Sequence, residues 1–184
     1  MNFEESNADE ALRFATQKHN GQFRRGGAEY ITHPTAVADT IDRVKSSSHR
    51  IDDLKSAAYL HDTLEDTDTT YEELLKQFGP VVMSLVHELT SDKAELERLG
   101  KTEYLKRKFS GMSSWALVIK LADRLSNIGD LDEADEKWAI KYARQTKDII
   151  EYLKQNRKLS ATHQKLVREI EEIVNGYLSR HPGA

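Results

Sequence analysis

The side chains with the most chemical potential here are His33, the adjacent pair His61-Asp62, and Asp123. Two imidazoles and two carboxylates suit a borderline divalent ion such as Mn, Fe, Zn or Co. Such an ion acidifies a bound water and offsets phosphoryl charge. Adjacent residues on a helix diverge by about 100°, so His61 and Asp62 reach one ion only where a helix bends or a partner closes the site. His33 precedes Pro34, which favours an extended backbone just ahead of a helix. Asp123 stands among apolar residues in Lys120-Leu121-Ala122-Asp123-Arg124-Leu125, where an unpaired carboxylate is costly. Asn127 lies four residues on, on the same helix face. Glu65 and Asp66 follow the His-Asp pair by about one turn, placed to orient or deprotonate a water without acting as ligands.

Each of these features has a plainer reading when taken singly. A His-Asp dipeptide is a weak motif by itself. His33 alone reads as a surface or cap histidine, and Asp123 as the ion-pair partner of Lys120 or Arg124. Glu65, Asp66 and Asp68 alone read as a solvated loop and helix caps. The joint order, His then His-Asp with acids after it and then Asp, is what favours a metal centre. In Gln22-Phe23-Arg24-Arg25-Gly26-Gly27, the guanidinium forks of Arg24 and Arg25 beside two glycines suit a phosphate, or else form an exposed basic turn. Lys141, Arg144 and Lys147 read as the wet side of a helix. Trp138 and Tyr142 read as core.

The apolar spacing that must position these groups is helical nearly throughout. A first helix starts near Ala8, and Leu12, Ala15 and His19 share a face. A second begins at Pro34, a residue suited to a first turn, and carries Val37, Ile41 and Val44. Leu54, Ala57, Ala58 and Leu60 mark a third, followed by the polar segment Glu65–Thr70. Thr69 or Thr70 caps the next helix, with Glu72 or Glu73 in capping-box position. That helix stops near Gly79-Pro80, and Val81, Val82, Leu85, Val86 and Leu89 form another. Helices are also expected over 101–109, 114–128, 136–154 and 160–179, with a loop or helix break over Leu131–Lys137. No stretch alternates with a period of two. The expectation is an all-α fold of about eight to ten helices, with residues 1–184 as a single domain.

Composition narrows the function classes. The chain has 184 residues and a net charge of −4, which disfavours duplex nucleic acid as a partner but leaves room for a local anion site. It has no cysteine, so disulfides and thiolate metal sites are excluded, and a cytoplasmic location is expected. The acidic start MNFEESNADE is not the pattern of a signal peptide. The longest apolar runs, such as Trp115–Ile119, are far too short to span a bilayer.

With those residues in view, the order His33, His61-Asp62, Asp123 resembles the metal-binding pattern of the HD superfamily. Ala15–Pro34 (ATQKHNGQFRRGGAEYITHP), Ala57–Thr70 (AAYLHDTLEDTDTT), Phe78–Lys93 (FGPVVMSLVHELTSDK) and Val118–Asn127 (VIKLADRLSN) are similar to the hydrolase domain of RelA/SpoT proteins. The resemblance runs from about residue 8 to 155, and residues 156–184 add a C-terminal helix. The 184 residues stop short of a synthetase or regulatory pattern, so the expectation is a similarity to the stand-alone small alarmone hydrolases, the group that includes the metazoan SpoT homologue.

The resemblance implies an HD-domain helical bundle with a Mn²⁺ ion held by His33, His61, Asp62 and Asp123. It implies that Glu65 and Asp66 serve the nucleophilic water, and that Arg24, Arg25 and Asn127 help hold a guanosine substrate. The implied reaction is hydrolysis of the 3′-pyrophosphate of (p)ppGpp. Family members usually carry a basic residue where Gly129 stands, and Leu131–Lys137 does not align, leaving Lys141, Tyr142 and Arg144 as candidates only. Two alternatives accompany this expectation. One keeps the metal site and removes a ribose phosphate from another nucleotide such as NADPH. The other is a catalytically silent nucleotide-binding module on the same scaffold.

Overall fold

Helix-start chemistry is visible from the first described residue. In a computed structural model, which describes residues 6–182, Ser6 caps α1 (Asn7–Lys18) by accepting from the Asp9 amide. This satisfies one of the orphan donors of a helix N-terminus. The first two amides of the helix, those of Asn7 and Ala8, donate instead to the two carboxylate oxygens of Asp52, at 3.1 and 3.2 Å. The start of the chain, MNFEE, lies outside the described residues.

The other elements are α2 (Thr32–Lys45), α3 (Ile51–Leu60), α4 (Thr63–Asp66), α5 (Tyr71–Leu89), α6 (Lys93–Leu99), α7 (Lys101–Gly111), α8 (Ser114–Gly129), α9 (Glu136–Asn156) and α10 (Ala161–Arg180). A short 3-10 turn, Leu131–Glu133, precedes α9. Among the described residues there is no strand, only an isolated antiparallel bridge between Phe23 and Glu29. The all-α expectation therefore holds, with ten α-helices among the described residues. No described helix is long and apolar enough to cross a membrane.

The chain divides into two compact units, Met1–Ser91 and Asp92–Ala184. In the first, α3 is the central element and packs against α1, α2 and α5. Its Ala57 and Ala58 are fully buried, and their small side chains allow neighbouring helices to come close. Ala11 and Ala15 of α1, Val37 and Ile41 of α2, and Leu74 and Val82 of α5 complete that core. Full burial of each Val, Leu or Ile contributes about 1.5–3 kcal/mol. In the second unit, α10 packs on α8 and α9, and α7 packs on α9. Leu117, Ile119 and Leu121 of α8, Phe109 of α7, Ile149 and Leu153 of α9, and Leu166 and Ile170 of α10 are buried there.

Local chemistry sets the breaks. Thr70 forms the expected capping box, its hydroxyl accepting from the Glu73 amide while Glu73 accepts from the Thr70 amide. Within α5, Gly79 adopts φ 79° and ψ 174°, a left-handed-region conformation that L-residues rarely take, and Pro80 starts the helix again. The sequence expectation of two helices meeting at Gly79-Pro80 is thus met: α5 consists of two helical segments joined across a kink at Gly79.

Two local expectations need correction, and one helix is new. α2 begins at Thr32, not Pro34, so His33 lies inside the first helical turn rather than in extended backbone. The first turn has no intrahelical use for an amide at Pro34, so the proline does not oblige the helix to wait for it. Glu65 and Asp66 lie in α4 rather than in a loop. α6 was not anticipated: it has no buried residue, and so its sequence carries no apolar stripe.

Candidate metal centre

The break between α3 and α4 creates the centre of the site. His61 closes α3 and Asp62 opens α4, so the chain turns between two residues that a continuous helix would send apart. His33, from the first turn of α2, joins them. One ligand atom from each of His33, His61 and Asp62 lies within 4.8 Å of the others. Both histidines are buried, while Asp62 keeps some exposure. Of the four residues expected at one ion, the structure gathers these three within its first unit. Asp123 lies on α8, in the second unit.

Proton placement decides what these atoms can hold. His61 Nδ1 lies 2.7 Å from the Ala58 carbonyl oxygen. A carbonyl only accepts, so Nδ1 carries a proton and Nε2 is the nitrogen left to face the site. That nitrogen stands 3.0 Å from Asp62 Oδ2, and His33 Nε2 stands 3.7 Å from the same oxygen. Electron-rich atoms this close are reconciled by a positive charge, either a proton or a divalent ion. The donor set, two imidazoles and a carboxylate, suits the latter. Asp66 adds to this picture. Burial, followed by the negative charges of Asp62 and Glu65, raises its carboxyl above the ordinary carboxylate range. Two imidazoles and a carboxylate gathered in one small volume fit a divalent cation.

The acids after the pair are held in different ways. The Ser91 amide donates to Glu65 Oε1 at 2.6 Å. The Asp66 carbonyl accepts from Gln22 Nε2 at 2.9 Å. Gln22 Oε1 in turn meets His19 Nδ1 at 2.9 Å. Tyr30 lies between Asp62 and Asp66, its hydroxyl donating to Asp62 Oδ2 at 2.6 Å and lying 3.5 Å from Asp66 Oδ2. Tyr30, His19 and Gln22 were not anticipated as part of the site. The one sequence signal was the position of Tyr30, three residues before His33, and spacing alone does not distinguish such a residue from a loop aromatic.

Arg24 and Arg25 occupy a tight turn, in which the Gly27 amide donates to the Arg24 carbonyl at 2.9 Å. Gly27 takes φ 85° there. Arg24 is partly buried and Arg25 exposed. In the second unit, Asp123 is buried and doubly served: Lys120 Nζ lies 2.8 Å from Oδ2, and Asn127 Nδ2 donates to Oδ1 at 2.6 Å. The reading of Asp123 as the partner of Lys120 is therefore correct for this structure, and Asn127 shares the carboxylate. Trp138 and Tyr142 are not core, contrary to expectation. Both are partly exposed and stack with centroids 4.9 Å apart, and the Arg124 guanidinium lies 4.8 Å from the Tyr142 ring. Period-based reading cannot distinguish an aromatic stripe that faces a core from one that faces its own neighbour.

Comparison with known proteins adds the following. Residues 11–159 match the model of a family described as the HD domain. The chain is 40% identical over 135 residues to the guanosine-3′,5′-bis(diphosphate) 3′-pyrophosphohydrolase MESH1 of Homo sapiens, covering 71% of this chain and 73% of that one. The Danio rerio protein of the same name is 38% identical over 135 residues, covering 71% and 72%. A guanosine-3′,5′-bis(diphosphate) 3′-pyrophosphohydrolase of Aquifex aeolicus is 36% identical over 148 residues, which are 76% of this chain but 20% of that longer protein. Among solved structures, a metazoan SpoT orthologue described as hydrolysing ppGpp superposes with a TM-score of 0.76 at 30% identity, covering 94% of this chain and 97% of that one. A protein of Listeria monocytogenes shares the fold, with a TM-score of 0.60 at 19% identity, covering 78% and 99%.

Proposed function

The chain belongs to the HD-domain family, among its guanosine-3′,5′-bis(diphosphate) 3′-pyrophosphohydrolases, and from that premise we propose that it hydrolyses (p)ppGpp to GDP or GTP and pyrophosphate. The observation that carries this reading is the convergence of His33, His61 and Asp62 on one small volume, with two further acids one turn away.

The proposed ligands of a divalent ion are His33, His61, Asp62 and Asp123, and the proposed ion is Mn²⁺. Asp123 enters this set on sequence grounds and on its chemistry as a buried carboxylate. When bound, such an ion supplies Lewis acidity, acidifying water and offsetting phosphoryl charge. The residues do the remaining work. His61 presents Nε2 because its Nδ1 proton is committed to Ala58. Glu65 and Asp66 orient the attacking water and accept its proton. Arg24 and Arg25 offer guanidinium forks to the diphosphate, with charge-assisted hydrogen bonds that strengthen as charge develops. Asn127 keeps Asp123 oriented and also serves the substrate. Water adds to the phosphorus next to the ribose, and the 3′-oxygen leaves with a proton.

The test is a substrate screen with added Mn²⁺ that follows pyrophosphate and orthophosphate separately. Pyrophosphate from ppGpp, abolished in Asp62→Ala, is the expected result. Orthophosphate from NADPH without pyrophosphate from ppGpp would move the chain to the ribose-phosphatase reading. Ion binding with no turnover of either would make it a silent nucleotide-binding module.

A further inference from the structure

Tyr30 lies just ahead of α2 and belongs to none of the residue sets above. Its hydroxyl donates at 2.6 Å to Asp62 Oδ2, the same oxygen that faces His61 Nε2 at 3.0 Å and His33 Nε2 at 3.7 Å. The ring is held from two sides. The His19 ring packs against it with centroids 4.7 Å apart, and His33 meets it edge-on at 5.9 Å. His19 is itself buried and anchored: its Nδ1 meets Gln22 Oε1, and Gln22 donates to the Asp66 backbone. A continuous set of contacts therefore runs from the backbone of α4, through Gln22 and His19, to the Tyr30 ring, and returns to α4 through the hydroxyl.

The arrangement has a specific consequence. The terminal torsion of an aspartate is broad, so nothing in its own chain determines which way the carboxylate rotates. A rigidly held donor on one oxygen removes that freedom. We propose that Tyr30 is a positioning residue for the divalent ion: its hydrogen bond to Asp62 selects the carboxylate rotation that turns Oδ2 toward the two imidazoles, and so sets the affinity of the site for the ion. This proposal rests on the metal reading of the site given above. Partners that orient metal ligands are commonly worth about 10–100-fold in metal affinity or activity.

Tyr30→Phe isolates the hydroxyl, because the phenyl ring retains its packing against His19 and His33. The full chain is stripped of metal, and its Mn²⁺ affinity is measured by calorimetry. The visible ligand-field spectrum of the Co²⁺-loaded protein is recorded alongside. The expected result is Mn²⁺ binding weakened on the order of 10-fold and displaced Co²⁺ bands, with the Tm of the metal-free variant unchanged. A Tyr30→Phe protein with wild-type Mn²⁺ affinity and an unaltered Co²⁺ spectrum overturns the role of Tyr30 and leaves the metal reading standing. A wild-type chain that takes up no divalent ion overturns both together.

Discussion

The backbone amide of Ser91 donates to Glu65 Oε1 at 2.6 Å, tying an acid of α4 to the chain just beyond the end of α5. One of the two carboxylate oxygens is thereby assigned a structural partner. The position of this acid is set by the backbone and not by a mobile side chain. An acid fixed in this way is suited to holding a water in one orientation.

Glu65→Gln separates those two duties. The glutamine carbonyl oxygen still accepts from Ser91, so the fold and the ion site persist. The capacity to accept a proton is lost. Pyrophosphate release from ppGpp is expected to fall by about 10²–10⁴-fold, the usual weight of a general base, with Mn²⁺ affinity unchanged. A Glu65→Gln enzyme of near wild-type rate would remove Glu65 from the reaction.

Asp62→Asn and His33→Ala address the ion itself. The first keeps a side-chain oxygen able to accept from Tyr30 but removes the charge facing two imidazoles. The second removes a buried ligand outright. Both are expected to come through purification with little bound manganese by elemental analysis, where the wild type retains about one ion per chain. Full occupancy in both variants would place the ion elsewhere.

Divalent ion should also stabilise the chain by mass action. At a free Mn²⁺ concentration of about 100 times its Kd, the gain is about 2.7 kcal/mol. The measurement is a thermal melt with and without chelator. Tm is expected to rise with Mn²⁺ in the wild type and to remain flat in Asp62→Asn. A melt indifferent to saturating Mn²⁺ in the wild type contradicts the assignment.

The capping box of α5 predicts a pH-dependent difference. Glu73 is held below its ordinary value of 4.5, first by the Thr70 amide that donates to it and further by Lys18. A depressed carboxyl contributes stability above its unfolded-state value, and that contribution disappears as pH falls through the folded-state value. Glu73→Ala should therefore be less stable than wild type at neutral pH, and the gap should close as the solution is acidified below 4.5. Thr70→Ala, which loses the hydroxyl partner of the Glu73 amide, is expected to cost about 1 kcal/mol by urea unfolding. A Glu73→Ala gap that widens in acid would reverse the assigned sign.

The helical architecture was legible because its elements announce themselves locally. Pro34, Thr70-Glu73 and Gly79-Pro80 are start and stop signals with a physical mechanism, and the structure places a helix start, a cap and a kink at or near them. The His61-Asp62 junction was legible for a related reason: the two side chains could converge where a helix breaks or a partner closes the site, and a break is present. Tyr30 and His19 were not legible. Their roles arise from packing between segments distant in sequence, and no spacing rule encodes the ring that fills the space behind an aspartate. The mistaken placing of Trp138 and Tyr142 in the core has the same origin. Residues four apart on a helix share a face, but the pattern does not say whether that face is covered.

His61 illustrates how part of a reactive centre can be inherited from its immediate neighbourhood. Its proton rests on the carbonyl of Ala58, three residues earlier in the same chain segment, so the choice between its two nitrogens is settled within a single turn. Folding need not bring in a remote group to make that choice. The nitrogen that faces the site is therefore chosen within α3 and its cap, and His33 and Asp62 supply the other donors.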